Sequence, residues 1–352
     1  MRIAVLVFSL ASSWAIARSA SSTQAPADSA PSDPAQMDTV VVSGVQPGPG
    51  LWKVSKGDHV LWVLGTLAPL PKHFEWKAAE VEAAIRSSQE VLSSPQVKVD
   101  AKIGFFGQLA LLPSLIGVRK NPDDKTLQEV VPPELYSRWR VLKEKYIGRS
   151  NKVESWRPIF AALDLYEAAI DKSDLTDSGL VQKTVKSLAK RAGVKLTPVQ
   201  IDLVIEDPKV ALKEFKSGGL DDLDCFRRTL DRIDTDLATM TLRANAWATA
   251  DVDALRGLPY EDQMTACRKA VTDSDLARSR GASDIEARME SAWLDTAAKS
   301  LSNNQVTFAM LPIARLLADQ SYLARLRERG YSIEAPESES QSGAGDPSSS
   351  AP

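Results

Sequence analysis

Residues 51–66, LWKVSKGDHVLWVLGT, constrain the fold more than any other stretch. Two apolar runs, residues 51–54 and 60–64, flank a polar turn with Gly57 at its tip, a pattern that predicts a β-hairpin. Residues 76–88 follow with apolar or small side chains at Ala79, Val81, Ala83, Ala84 and Ile85, one face of a helix. Residues 90–93 are short and apolar enough for a strand. Hairpin, helix and strand in succession require a sheet covered by helices.

From residue 101 to 301 the pattern is mainly helical. Pro132 and Pro133 open one helix, prolines being favoured at the first helical positions. Residues 154–170 carry a second, and residues 180–192 a third that ends at Gly193. Residues 194–197 read as a strand returning to the sheet, and long helices are expected over 221–249 and 283–301. Then 305–310 is β-like, 319–329 is helical with Gly330 as its stop, and 331–333 closes as an edge strand. The expected fold is an α/β domain whose central mixed sheet comes from N- and C-terminal strands, flanked by helices, with a large helical insertion.

The two ends bound this domain. Arg2 precedes an apolar run to about Ala17, followed by small residues at A-x-A-like positions, the pattern of a secretory signal peptide over residues 1–20. The run is short for a membrane span, and Ser9, Ser12, Ser13 and Arg18 interrupt or end it, which disfavours an uncleaved anchor. Residues 21–47 are small, polar and proline-rich, as is the tail 337–352, so neither buries enough surface to fold. The folded part is therefore about 48–336, in a protein expected to be periplasmic or secreted, with no membrane span after cleavage.

Charge and residue counts remove several functions. With 43 Lys+Arg against 46 Asp+Glu the net charge is -3, which supplies no basic footprint for nucleic acid. The chain has two histidines, His59 in the hairpin turn and His73 before the first helix, and neither HExxH nor paired Cys motifs for zinc. GxSxG and the Gly-rich phosphate loops are also missing. Asp221, Asp222 and Asp224 read as the first turn of a helix, and Glu286 with Glu290 as a solvated face. Cys225 and Cys267, 42 residues apart, favour a disulfide in an oxidising compartment over two buried thiols.

The segment PGPGLWKVSKGDHVLWVLGTLAPLPKHFEWKAAEVEAAIRSSQEVL resembles the opening of the TraB/GumN family, which includes TIKI-type metalloproteases. TFAMLPIARLLADQSYLARLRERGYSIEAP resembles the family's last element, and DCFRRTLDRIDTDLATMTLRANAWATADVDALRGLP its helical middle, so the resemblance covers residues 48–336. For active members it implies a metal and water site built from two G-x-x-H motifs and a glutamate after the first helix, a set able to lower the pKa of a bound water. Carried over, the first motif falls on Gly65, Thr66 and Ala68, with alanine at the histidine position. The glutamate falls at about Ser94, and the second motif at about Leu311 and Ala314. A family Arg-Asn pair falls around Met289 and Glu290, or one residue earlier at Arg288. A methyl group donates no lone pair, so the expectation is a member with degenerate motifs, no catalytic or metal-binding residues and no cofactor. It would act by binding an envelope protein, a peptide or a saccharide, GumN-like relatives implying an envelope or polysaccharide association. The small replacements lead us to expect an apolar groove. The alternative is a metal-dependent peptidase or hydrolase with non-standard ligands, for instance His73 with Glu75.

Overall fold

The N-terminal hairpin is formed by β1 (Leu51–Lys56) and β2 (His59–Thr66), antiparallel from Leu51 opposite Leu64 to Lys56 opposite His59. Gly57 turns it with φ 63°, a conformation that costs glycine little. The computed structural model describes residues 48–101, 117–218, 220–258, 263–274, 277–278 and 284–336. The expected leader, tether and tail lie outside them. After β3 (Leu70–Pro71) and α1 (Ala79–Ser87), the chain enters β4 (Glu90–Leu92) and β5 (Gln96–Ala101).

The middle of the chain runs through α2 (Leu127–Val130), α3 (Pro133–Tyr146), α4 (Pro158–Lys172), β6 (Leu175–Thr176) and α5 (Leu180–Ala192) to β7 (Lys195–Thr197) and β8 (Gln200–Ile205). It continues with α6 (Pro208–Ser217), α7 (Leu223–Thr235), α8 (Leu237–Ala248), α9 (Val252–Gly257), α10 (Gln263–Thr272) and α11 (Ile285–Asn303). The C-terminal part is β9 (Val306–Pro312), α12 (Ile313–Leu317), α13 (Tyr322–Glu328) and β10 (Ser332–Glu334). Several ends follow local chemistry. Gly193 stops α5 at φ 68°, where Val194 N donates to Ala189 O. Pro208 opens α6 while the Asp207 carboxylate accepts from Lys209 N and Val210 N.

Six strands make the central sheet in the order β10-β1-β2-β9-β4-β7. β10, β1 and β2 are antiparallel neighbours, whereas β2, β9, β4 and β7 are parallel. The expected mixed α/β sheet is present, with one strand, β7, drawn from the middle of the chain. β9, near the C-terminus, inserts between β2 and β4. Leu61, Val63, Leu64, Phe308, Ala309, Met310 and Leu311 are all buried, as expected of strands covered on both faces.

Three local readings differ from the structure. The expected helix over 221–249 is two helices meeting at Asp236, whose buried carboxylate pairs with Arg232 at 3.5 Å behind it and with Arg243 at 2.9 Å ahead. The helical reading of the middle also passes over β8, and the sequence reading leaves β5 unassigned; the two pair in parallel from Gln96 opposite Gln200 to Ala101 opposite Ile205. This ribbon prolongs the β4–β7 pair across a bend at Pro95 and Pro198, residues that cannot donate to a ladder. Val199 N bridges the bend by donating to Ser93 Oγ at 2.8 Å. Residues 154 and 155, expected at the start of a helix, belong instead to a separate 3-10 turn over residues 152–155 before α4.

The insertion carries its own apolar cluster, in which Trp139 and Phe226 lie 5.5 Å apart between ring centroids beside Leu165, Leu230 and Ile233. Cys225 on α7 and Cys267 on α10 stand at disulfide distance, with 4.5 Å between their Cα atoms.

Where the central strands leave the sheet, the packing leaves no room at Gly65. A Cβ there would collide with Ile313 Cδ1 and lie 3.1 Å from Leu316 Cδ1 and 3.3 Å from Trp52 Cζ3. All three neighbours are buried, so α12 closes directly over glycine backbone. Gly65→Ala is expected to destabilise the protein by about 1–3 kcal/mol through overpacking. Urea unfolding with an unchanged midpoint would show that α12 does not seat there.

Candidate functional site

The four parallel strands end at one edge of the sheet. In open α/β sheets ligands bind outside the carboxyl ends of the strands, and here a cavity of about 420 Å³ lies at that edge. Thr66, Leu67 and Ala68 reach it from the end of β2, Pro95 and Val97 from beyond β4, and Pro312, Ile313, Ala314 and Arg315 from the end of β9. Helices supply the remaining wall with Tyr166, Gln182, Arg232, Met264, Arg268, Glu286, Met289 and Tyr322, joined by Asp177 after β6.

Strand register brings the two distant segments together. Gly65 is opposite Leu311 and Thr66 opposite Pro312, so the chains leave β2 and β9 side by side and carry Ala68 and Ala314 into the same cavity wall. Thr66 Oγ1 donates to Leu311 O at 3.3 Å, and the buried Trp247 indole donates to Gly65 O at 2.6 Å. Phe74 and Trp76 pack on Trp247 with ring centroids 6.0 and 5.6 Å away. Further along, Leu70 pairs with Thr176. The loop that suggested a site from sequence is therefore held by packing at both ends.

Of the six positions singled out from sequence, three line the cavity, two lie behind it and one stands beside it. Thr66, Ala68 and Ala314 line the cavity, whereas Gly65 and Leu311 are buried in the paired strand ends behind it. Ser94 stands in the bend between β4 and β5, one residue from the cavity-lining Pro95, with its Oγ buried and without a hydrogen-bond partner among the described residues. At the position of the family Arg-Asn pair, Met289 lines the cavity, while Arg288 lies 3.9 Å from Asp284.

The wall is largely apolar, as expected from the small residues, but five charged side chains, Asp177, Arg232, Arg268, Glu286 and Arg315, are set into it. Arg268 Nε donates to Glu286 Oε1 at 2.6 Å, and Arg315 Nη2 donates to Glu286 Oε2, so one carboxylate joins two guanidiniums. Arg232 lies over the Tyr166 ring, 5.4 Å from its centroid. Burial raises the Tyr322 hydroxyl to about 12; the nearby Arg315 and Arg268 oppose the rise and Glu290 and Glu286 reinforce it. Asp177, exposed overall yet crowded against the wall, is also pushed above the ordinary carboxylate range by desolvation, with Arg232 opposing and Glu167 adding to the shift. Reasoning from loop positions missed these arginines because they come from α7, α10 and the first turn after β9, which only the tertiary fold brings together. Arg315, next to Ala314 in the matched segment, was the one local signal.

The donors in this cavity do not fit the divalent metal that the resemblance implies for active members. Glu286 is engaged by two arginines, and three guanidiniums repel a cation at close range. Neither histidine lines the wall. His59 Nδ1 is bonded to Asn304 O at 2.7 Å at the amino end of β2, and His73 is exposed. Among the described residues no group of three His, Cys, Asp or Glu could hold a metal ion.

A model of the TraB/PrgY/gumN family matches residues 50–335 of the chain. No curated protein and no solved structure matches it.

The Tyr322 environment has a measurable consequence. Its folded-state pKa of about 12 exceeds the ordinary 10.0, so between these values the unfolded chain loses its proton first and stability falls as pH rises. Below pH 10 the group makes no pH-dependent contribution. Spectrophotometric titration should show a tyrosine ionising near pH 12, and Tyr322→Phe should remove that phase. A variant titration superimposable on the wild type would contradict the burial of this hydroxyl.

Proposed function

Because the chain belongs to the TraB/PrgY/gumN family, we propose that it is an exported, non-catalytic member that works by binding a ligand in the cavity at the carboxyl edge of its sheet. The observation that carries this reading is the meeting of Ala68 and Ala314 in one wall. The resemblance assigns histidines to these positions, and methyl groups there can neither hold a metal nor move a proton. The scaffold around them is nevertheless retained: Gly65 under α12, the β2–β9 register, and the Trp247 bond to the strand exit. A preserved cavity without its reactive groups serves recognition more readily than turnover.

Export is supported by the first 20 residues and by the cysteines. Cys225 and Cys267 stand at disulfide distance on neighbouring helices, and a structural disulfide joining them fits an oxidising compartment. No helix among the described residues is long and apolar enough to cross a membrane. On this reading the protein acts in the periplasm or outside the cell, with an envelope component, a peptide or a saccharide of the export machinery as its partner.

Calorimetry with Zn²⁺, Mn²⁺ and Co²⁺ tests the loss of the metal site. The wild type should bind none of them stoichiometrically, and Ala68→His combined with Ala314→His should gain measurable affinity only when Arg268 and Arg315 are also replaced by Met, because two imidazoles alone still face the repelling guanidiniums. Stoichiometric binding by the wild type would instead favour a metallohydrolase with unusual ligands. For export, mass spectrometry of protein from the producing cell should find cleavage between residues 15 and 25; an intact Met1 in the membrane fraction would contradict it.

A further inference from the structure

The charge of the cavity identifies a class of ligand. We infer that it binds the carboxylate of a small organic acid through Arg268 and Arg315, with the acid's apolar body against Leu67, Met264, Met289 and Ile313. This rests on the reading of the cavity as a binding site and adds what it would select. The wall carries three guanidiniums against the carboxylates of Asp177 and Glu286. Around Glu286 the balance is two cations to one anion, so one further negative charge completes it.

The hydrogen-bond inventory agrees. A guanidinium has more N–H donors than a single carboxylate oxygen can take. Arg315 makes one hydrogen bond among the described residues, to Glu286, while Arg268 adds a second, to Thr265 Oγ1 at 2.8 Å. Their side chains are 37% and 39% exposed, so the remaining donors face water that an anion can displace. The planar fork of arginine suits a carboxylate. A phosphate dianion fits less well, because Glu286 stands between the two arginines and would repel its second charge.

The rest of the wall specifies the body of the ligand. Met264 and Met289 are polarizable and adapt to varied apolar shapes. Gln182 Oε1 is buried at the wall without a partner among the described residues, an acceptor that a ligand N–H would satisfy. An acid carrying an amide, such as an N-acylated apolar amino acid, meets all three features. A plain aliphatic acid meets two.

Calorimetry on the full chain with hexanoate, N-acetylleucine, hexan-1-ol, acetate and inorganic phosphate tests this. At least one of the first two should bind about tenfold or more tightly than hexanol, acetate or phosphate. Preference for N-acetylleucine would identify an amide-bearing acid and place its N–H at Gln182, whereas preference for hexanoate would identify an aliphatic one. Arg315→Met should weaken binding about tenfold or more, and Arg315→Lys less. If Arg315→Met does not fold, Ala314→Trp, which fills the cavity from a surface-accessible position, should abolish binding instead. The inference is overturned if neither acid binds, if hexanol or phosphate equals them, or if the folded variants bind as the wild type does. Failure of both acids on a wild type that takes up no metal removes this ligand class and leaves the non-catalytic reading standing. Stoichiometric metal uptake removes that reading whatever the acids do.

Discussion

The parallel pairing of β2 with β9 is the interaction on which the rest of the structure depends. It joins segments about 245 residues apart in sequence, and every residue of β9 from Thr307 to Leu311 is buried. Burying Phe308, Met310 and Leu311 is worth about 1.5–3 kcal/mol each, against a loop-closure cost that grows only logarithmically with length. Because β9 lies between β2 and β4, the N-terminal strands lack a continuous sheet until the C-terminal part has returned. The same register sets the cavity, since a one-residue slip would turn buried side chains outward and separate Thr66 from Pro312.

The helical insertion fits this frame by building a second core and sending charged side chains back towards the sheet edge. Asp236 organises that return. Its buried carboxylate is shared by Arg232 and Arg243, and removing one partner from such an arrangement leaves a charge buried without compensation. The break between α7 and α8 thus places Arg232 in the cavity wall and Trp247 under the exit of β2. Cys225 and Cys267 stand at disulfide distance on the helices that carry Arg232 and Arg268, so two cavity arginines come from helices packed together at that pair.

Local chemistry made much of the fold legible. The hairpin, the stop at Gly193 and the β-character of residues 306–310 each follow from spacing, turn residues and apolar runs near in sequence. Period-2 alternation at Val97 and Val99, and at Ile201 and Leu203, is a signal for β5 and β8, but each run is short, and β8 sits in a mainly helical context. The break at Asp236, whose carboxylate meets Arg232 one turn back and Arg243 two turns ahead, carries no proline or glycine to mark it in the sequence. Of the positions singled out from sequence, Thr66, Ala68 and Ala314 lie in the cavity wall, whereas the charge of that wall depends on Arg232, Arg268 and Glu286, whose meeting is a property of helix packing.

The picture that results is a TraB/PrgY/gumN-family scaffold in which packing preserves the geometry of a strand-edge cavity while guanidiniums line it. Its central claim is that the ends of β2 and β9 place positions 68 and 314 in one wall. Continuous-wave electron paramagnetic resonance on nitroxides attached at Ala68→Cys and Ala314→Cys, in a background with Cys225→Ala and Cys267→Ala, measures this directly. The account requires strong dipolar broadening in the doubly labelled protein that disappears on unfolding. A spectrum equal to the sum of the two singly labelled proteins would contradict it.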